Sequence, residues 1–218
     1  MRFCLSRAGK SVAGMSAIAL IFTGLAVAPK AGAQSTTAQQ PAGQAGAQQP
    51  AGQAGQAGPQ KNYKDRGEYD LYSQITQTQD PKKRLDLLNQ WQTKYPQSDF
   101  AQDRLQYFVA TLGQLAPNDP SVRQQLIDKC KELLKLDPKN FTANYYIALW
   151  GPAVGGTSAS PDLLSTTDAA AHAVIDQADT AFPASKKPAS MSDADWTKAK
   201  NQVLAIAHNA LAWVATSK

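Results

Sequence analysis

Apolar side chains recur every third or fourth residue along much of the chain, which is the spacing of one face of an α-helix. The clearest run is Leu105, Phe108, Leu112 and Leu115. Similar runs precede and follow it: Leu85, Leu88, Trp91 and Tyr95, then Val122, Leu126, Cys130 and Leu133. Strand signals are scarce, because β-branched runs, strict alternation and Asn-Gly turns are nearly missing. The pattern predicts an all-α fold.

Capping residues and prolines mark where the helices begin and end. Asp80-Pro81, Asp119-Pro120 and Ser160-Pro161 each place a side-chain oxygen before a proline at the first helical position. The stretch from Ser192 to Asp195 resembles a capping box. Ends are predicted at Pro96, Pro117, Pro138, Gly151-Pro152 and Pro183. Together these signals predict about seven helices, near residues 65–78, 81–95, 99–115, 120–136, 140–150, 161–181 and 193–216.

The first 33 residues have the pattern of a secretory signal peptide. Basic residues are followed by an apolar run from Val12 to Val27, and Ala31-Gly32-Ala33 offers small residues for cleavage. The run is shorter than the ~20 residues of a membrane span, which favours a cleaved signal over an uncleaved anchor. The lipid-bearing cysteine of a bacterial lipoprotein follows the apolar run. Cys4 precedes it, so Cys4 is not expected to carry a lipid. We expect an exported protein, periplasmic or associated with a bacterial cell envelope.

Residues 34–60 contain almost only Gln, Ala, Gly and Pro, with no charge and no aromatic ring. Such a composition cannot build a core, so a disordered linker is expected. It is either a spacer that holds the domain away from a membrane or wall, or a neutral remnant of export. The folded domain is expected at residues 61–218.

Charge and composition exclude a nucleic-acid binder that works by bulk charge. The formal net charge is +5, but four of the 22 basic residues lie in the predicted signal segment. The remaining 18 nearly balance the 17 acidic residues. A partner is therefore expected to be a protein or peptide, and a membrane contact only through an uncleaved signal.

Two proline-containing helix ends carry a family resemblance. Lys94-Tyr95-Pro96-Gln97-Ser98 and Lys135-Leu136-Asp137-Pro138-Lys139-Asn140 resemble the ends of tetratricopeptide repeats, which are helical pairs of about 34 residues. The stretch from Phe141 to Leu149 resembles the opening helix of a further unit, with Ile147 and Ala148 as its large-then-small pair. The resemblance covers about residues 65–150. It implies antiparallel helix pairs stacked as a short α-solenoid of about three and a half units.

The repeats depart from the family pattern in two places. Pro96 and Pro138 are 42 residues apart, and Leu126 and Leu133 stand where the family has small residues. In that family the first helices line a groove that holds a partner peptide. The resemblance therefore implies that Gln102, Gln106, Asn144 and Tyr145 face such a groove. Tyrosines that suit an interface are frequent in this part of the chain, and packing between helices is an equal alternative for each: Tyr63, Tyr69, Tyr72, Tyr107, Tyr145 and Tyr146.

Catalytic and metal-binding patterns are mostly missing. Cys130 lies on an apolar helix face and is expected to be a small buried residue. His172 has Asp168 and Asp176 four residues to either side, which fits a solvated helix face better than a metal or acid–base site. His208 is expected to be packed or half exposed. We expect no metal, no cofactor and no catalytic residue.

The residues fit neither a phosphate loop nor a cell-wall hydrolase well. Gly155-Gly156-Thr157-Ser158 lacks the lysine of a phosphate loop and is expected to be a connector. A helical hydrolase of the wall would need one buried glutamic acid as general acid. Glu132 lies between lysines on a charged face and Glu68 lies near a terminus, so neither fits that role well.

The final helix carries no charge from Val203 to Ala215. A terminal repeat helix usually has a polar outer face, so this one is either covered by the 161–181 helix or docks another chain through Leu211 and Trp213. The first alternative is favoured. Taken together, the sequence predicts a non-catalytic adaptor or scaffold of the envelope. An architectural protein held by an uncleaved anchor, and a helical wall hydrolase, are the alternatives.

Overall fold

The structure is a computed structural model that describes residues 61–217. The predicted signal peptide at 1–33, the predicted linker at 34–60 and the final residue lie outside the described residues. Within them the chain forms helices and turns and no strand, so the all-α prediction is confirmed. None of these helices is both long enough and apolar enough to cross a membrane.

Seven α-helices make up the described part, with two short 3₁₀ turns between them. They are α1 (Arg66–Gln77), α2 (Pro81–Lys94), α3 (Ala101–Leu115), α4 (Arg123–Leu136), α5 (Phe141–Gly155), α6 (Pro161–Ala181) and α7 (Asp193–Thr216). The 3₁₀ turns are Pro120–Val122 and Ala184–Lys186.

Most helix starts follow the predicted capping chemistry. The Asp80 carboxylate accepts hydrogen bonds from the backbone N–H groups of Lys82 and Lys83, and Pro81 occupies the first position of α2. The Ser160 hydroxyl accepts from Leu163 N–H at 3.2 Å in the same way. These caps satisfy amide groups that have no partner inside the helix, and this local chemistry is why the sequence locates the helix starts.

Two predicted boundaries need refinement. Asp119 caps the predicted start at Pro120, but the first three residues form a 3₁₀ turn that leads directly into α4 at Arg123. Helix α5 does not stop at Pro152 but continues to Gly155. Pro152 lies in the last turn and removes the N–H that would bond to the Ala148 carbonyl, and Gly156 with a φ of +56° ends the helix.

Each helix packs against the next one in the chain, and α5 also packs against α7. This order of neighbours is that of a helical repeat, in which short connections make consecutive helices antiparallel. Two hydrophobic cores result. Helix α5 contributes Ile147 and Trp150 to the first core and Tyr145 and Ala148 to the second, so it is the wall that both cores share.

Close approach between α5 and α6 depends on one glycine. A Cβ atom at Gly151 would collide with the side chain of Thr167 in α6. Gly151 therefore allows the two helices to lie closer together than any residue with a side chain would permit. Because α5 must be covered on both sides, this contact helps to close the second core over it.

Arginines close the first three turns between helices in a recurring way. The carbonyl of each C-cap residue accepts a hydrogen bond from an arginine at the start of the following helix. Arg84 donates to Thr78 O, Arg104 to Tyr95 O at 2.7 Å, and Arg123 to Ala116 O at 2.9 Å. The positive charge meets the negative end of the helix dipole, so each bond stabilises both the turn and the helix end.

We expect Arg123→Met to lower the free energy of unfolding by ~1–3 kcal/mol, because Ala116 is fully buried and its carbonyl loses this donor. The guanidinium also leaves the Trp150 ring, which lies 4.3 Å from it. Urea unfolding measures the change. Arg66→Met is the matched control, since that side chain is 81% exposed and its loss should cost less than ~0.5 kcal/mol. Equal losses in the two variants would contradict the role given to Arg123.

Candidate functional site

Five aromatic rings gather on one side of α1 and α3. We call this group the tyrosine face: Tyr63, Tyr69, Tyr72, Phe100 and Tyr107. Tyr63 stacks on Phe100 with ring centroids 4.4 Å apart and also contacts Tyr69 and Tyr72. Tyr72 reaches Tyr107 at 6.1 Å and so connects α1 with α3. Tyr69 is 44% exposed and the other four rings are half buried. One side of the tyrosine face therefore packs against the protein and the other side is open to solvent.

Local structure explains why these rings meet. Tyr69 and Tyr72 are three residues apart on α1 and therefore lie on the same side of the helix. Phe100 is the N-cap residue of α3 and Tyr107 lies about two turns further on, again on one side. Tyr63 precedes α1 and fills the space between the two helices.

Ion pairs surround the tyrosine face and neutralise one another. Lys61 pairs with Asp103 at 2.7 Å, Lys64 with Asp99 at 2.7 Å, and Arg66 with Asp70 at 2.8 Å. Two of these cations also contact rings, Lys61 over Phe100 at 5.8 Å and Arg66 over Tyr69 at 5.2 Å. Because the rim offers three charges of each sign, it selects neither an anionic nor a cationic ligand.

Two phenols of the face, Tyr63 and Tyr107, stay neutral at physiological pH. Burial, and next a hydrogen bond with Tyr72, raise the pKa of Tyr107 well above its ordinary value. Burial and the neighbouring phenols raise the pKa of Tyr63 as well. Neutral phenols supply flat apolar surface and hydroxyl groups for hydrogen bonds.

A buried carboxylate supports the tyrosine face from below. Glu68 has no exposed surface. Its Oε2 accepts from Lys64 N–H at 2.6 Å and its Oε1 accepts from the indole Nε1 of Trp91 at 2.9 Å. Burial raises the pKa of this carboxyl, but hydrogen bonds from Ser98, Lys64 N–H and Trp91 outweigh burial and hold the pKa below its ordinary value. The group is thus a buried, ionised acceptor that joins α1 to α2.

The other side of Trp91 is covered by Arg104, so α3 joins the same arrangement. The Arg104 guanidinium lies 5.5 Å from the Trp91 ring and is itself buried. The sequence placed Glu68 near a terminus, and its burial was missed. A signal existed: Asp65 accepts from Glu68 N–H at 2.9 Å, which is half of a capping box with the acidic residue at the third position.

The structure divides the four predicted groove residues. Gln102 is exposed and Gln106 half buried, both on α3, which carries Tyr107. Asn144 and Tyr145 are buried, at 4% and 5% exposure, so the expectation of an open groove does not hold for them. Asn144 donates to Asn140 O at 3.1 Å, and Tyr145 packs in the second core. The reason is that α6 and α7 cover this side of α5.

The two predicted docking residues of the last helix serve internal contacts. Helix α6 packs along α7, which is the first of the two alternatives for this helix. Leu211 is partly buried against the second core. Trp213 donates from Nε1 to Gly156 O at 2.9 Å and holds the turn between α5 and α6. Gly155 and Gly156 therefore belong to the connection between α5 and α6, as the sequence predicted.

The remaining candidates for chemistry lie apart from one another. Cys130 has no exposed surface, and burial raises the pKa of its thiol. His172 lies on an exposed helix face with its Nδ1 2.9 Å from Asp168 O. The half-exposed Glu132 pairs with Lys129 at 3.0 Å. Across residues 61–217, no three His, Cys, Asp or Glu side chains come close enough together to hold a metal ion.

Comparisons with protein-family models, with curated proteins and with solved structures found no match to this chain.

We expect Glu68→Gln to lower the free energy of unfolding at pH 7 by ~1–3 kcal/mol, because an amide cannot accept as well from three donors. The pH dependence should change as well. The folded-state pKa of Glu68 lies below that of the unfolded chain, so the unfolded state binds the proton first. The contribution of Glu68 is complete above the unfolded value of ~4.3 and is lost as the pH falls through the folded value.

Urea unfolding between pH 7 and pH 3 measures both effects. The free energy of unfolding lost between pH 7 and pH 3 should be smaller in Glu68→Gln than in the wild type. The remaining loss comes from other carboxyl groups whose pKa values are also lowered: Asp65, Asp80, Asp99 and Asp119. Asp86→Asn removes an exposed carboxylate of α2 and is the control, with an expected loss below ~0.5 kcal/mol at pH 7. An unchanged profile in Glu68→Gln would show that its carboxyl is not held ionised.

Proposed function

We propose that this protein is an exported adaptor or scaffold of the bacterial cell envelope that binds a protein or peptide partner through the tyrosine face. The observation that carries this proposal is the group of five rings on α1 and α3 within a neutral rim. Tyrosine combines a large rigid contact area with a hydroxyl group and loses little rotamer freedom on binding, which is why it is enriched at protein interfaces.

The helical-repeat order of the chain supports this role. Stacked helix pairs hold a binding surface on rigid elements, and the rings here come from α1 and α3, the first helices of two successive pairs. We propose that these pairs are degenerate tetratricopeptide repeats. The turn between α4 and α5 fits that proposal, because Asp137 and Asn140 bond to each other at 3.0 Å and Asn140 caps α5.

Export is proposed on the sequence pattern of the first 33 residues.

The contacts of the two mature-chain glutamates argue for binding rather than wall hydrolysis. A general acid must reach its substrate, whereas Glu68 is fully buried with its oxygens engaged and Glu132 is held by Lys129. Of the predicted groove residues, Gln102 and Gln106 belong to this proposed surface by their place on α3.

Capture from an envelope extract of the source bacterium, with the full chain as bait, tests the proposal. We expect Tyr69→Ser to weaken capture of the wild-type partner about thirtyfold, since truncation of an aromatic anchor costs ~2 kcal/mol or more. Leu136→Ser is the matched control. Leu136 is 56% exposed and, with Tyr69, is one of the two large apolar residues exposed within residues 61–217, but it lies on α4 away from the face.

Leu136→Ser should alter the free energy of unfolding by less than ~0.5 kcal/mol, and Tyr69→Ser should lower it by about 1 kcal/mol because the ring loses its edge contact with Tyr63. Both variants should stay folded, and urea unfolding of each therefore separates lost binding from lost folding. A partner that binds the wild type and Tyr69→Ser equally would exclude the tyrosine face as its site. Equal loss in both variants would show that the capture is unspecific.

A further inference from the structure

The segment before the described residues has a period of three. Between positions 43 and 58, glycine occupies every third position but one: Gly43, Gly46, Gly52, Gly55 and Gly58, with Gln49 in the remaining place. Proline recurs at intervals of nine, at Pro41, Pro50 and Pro59. A polyproline II helix has three residues per turn, so in that conformation all these glycines fall on one edge and all three prolines on another.

The backbone of such a helix is open to a binding partner. Polyproline II has no internal hydrogen bonds, so its N–H and C=O groups are available to side chains of a binding surface. Grooves that recognise this conformation are lined by aromatic rings, as the tyrosine face is. An edge without side chains allows the backbone to approach flat rings closely. Residues 34–60 carry no charge, which matches a rim whose ion pairs are already neutralised.

The segment also leads directly to the tyrosine face. Lys61 follows it at once, bonds to Asp103 of α3 and lies over the Phe100 ring. Two residues later Tyr63 stacks on the same ring. A segment attached at this distance has an effective concentration of about 1 mM, so an affinity of only ~0.1 mM between separate molecules would keep it about 90% bound.

We propose that the tyrosine face binds residues 48–60 of its own chain in the polyproline II conformation, with the glycine edge against the rings. The inference rests on the proposed function, because it uses the same face, and it names the class of ligand: an uncharged, extended segment with glycine every third residue. The segment then competes with any external partner, which binds only by displacing it.

A second copy of the chain is the alternative occupant. Glycine at every third position also occurs in the collagen triple helix, but that structure needs an unbroken glycine period. Here Gln49 interrupts the period and leaves two triplets before it and three after it. The short runs and the attachment at Lys61 therefore favour binding within one chain.

Tyrosine ring resonances of the full chain test this proposal. With ¹³C-labelled tyrosine, deletion of residues 39–58 should shift the resonances of Tyr63 and Tyr69. Tyr145 and Tyr146 should not shift, since they pack against the second core and provide internal controls. The double variant Gly52→Val and Gly55→Val should reproduce the deletion, because two side chains now lie on the glycine edge. Ala51→Val with Ala54→Val adds equal side chains on another edge and should keep the wild-type resonances.

Three results would overturn the inference. If no tyrosine resonance changes on deletion, the segment does not touch the face. If both double variants behave alike, the glycine edge is not the contact. If the wild-type shifts disappear on dilution by about tenfold, the occupant is a second copy, since binding within one chain is independent of concentration.

Partner capture separates this inference from the proposed function. If the deletion leaves the tyrosine resonances unchanged while capture remains sensitive to Tyr69→Ser, the inference fails and the proposed function stands. If deletion shifts Tyr63 and Tyr69 and also strengthens capture about tenfold, as removal of a 90% bound competitor requires, both stand.

Discussion

The carboxylate of Glu68, buried among hydrogen-bond donors of three chain segments, is the constraint on which the first half of the structure depends. It accepts from Lys64 before α1, from Trp91 in α2 and from Ser98 in the turn before α3. Arg104 of α3 closes the other side of the Trp91 ring. A buried charge is costly unless every acceptor site is used, and this geometry therefore fixes where three helices meet. The tyrosine face lies above that junction, so its rings are held by the same contacts.

The tyrosine face offers apolar rings and neutral polar groups rather than net charge. The rim pairs of the tyrosine face cancel in sign, and the raised pKa values of Tyr63 and Tyr107 keep these two phenols protonated near neutral pH. A site of this kind gains from shape and from removal of water from rings, and it is insensitive to ionic strength. The uncharged segment of residues 34–60 has matching properties within the same chain.

The sequence predicted what local chemistry decides and missed what distant contacts decide. Asp80-Pro81 and Ser160-Pro161 locate helix starts because a cap needs only the residues that follow it. The burial of Glu68 depends on Trp91, 23 positions away, which periodicity alone does not indicate. Asn144 and Tyr145 were predicted on an open groove from the first helix of a repeat pair. They are buried because α6 and α7 pack against α5, and no motif in α5 predicts this contact.

The position of α5 between two cores has a consequence for how the chain loses its structure. In a simple stack of repeats, one end can open while the other stays folded, because each unit contacts only its neighbours. Here Ile147 and Tyr145 belong to different cores on the same helix, so neither half can detach without exposing apolar surface of α5. The backbone amides of α5 should therefore exchange with solvent only in global opening, while those of α1 exchange through smaller fluctuations at the end of the stack.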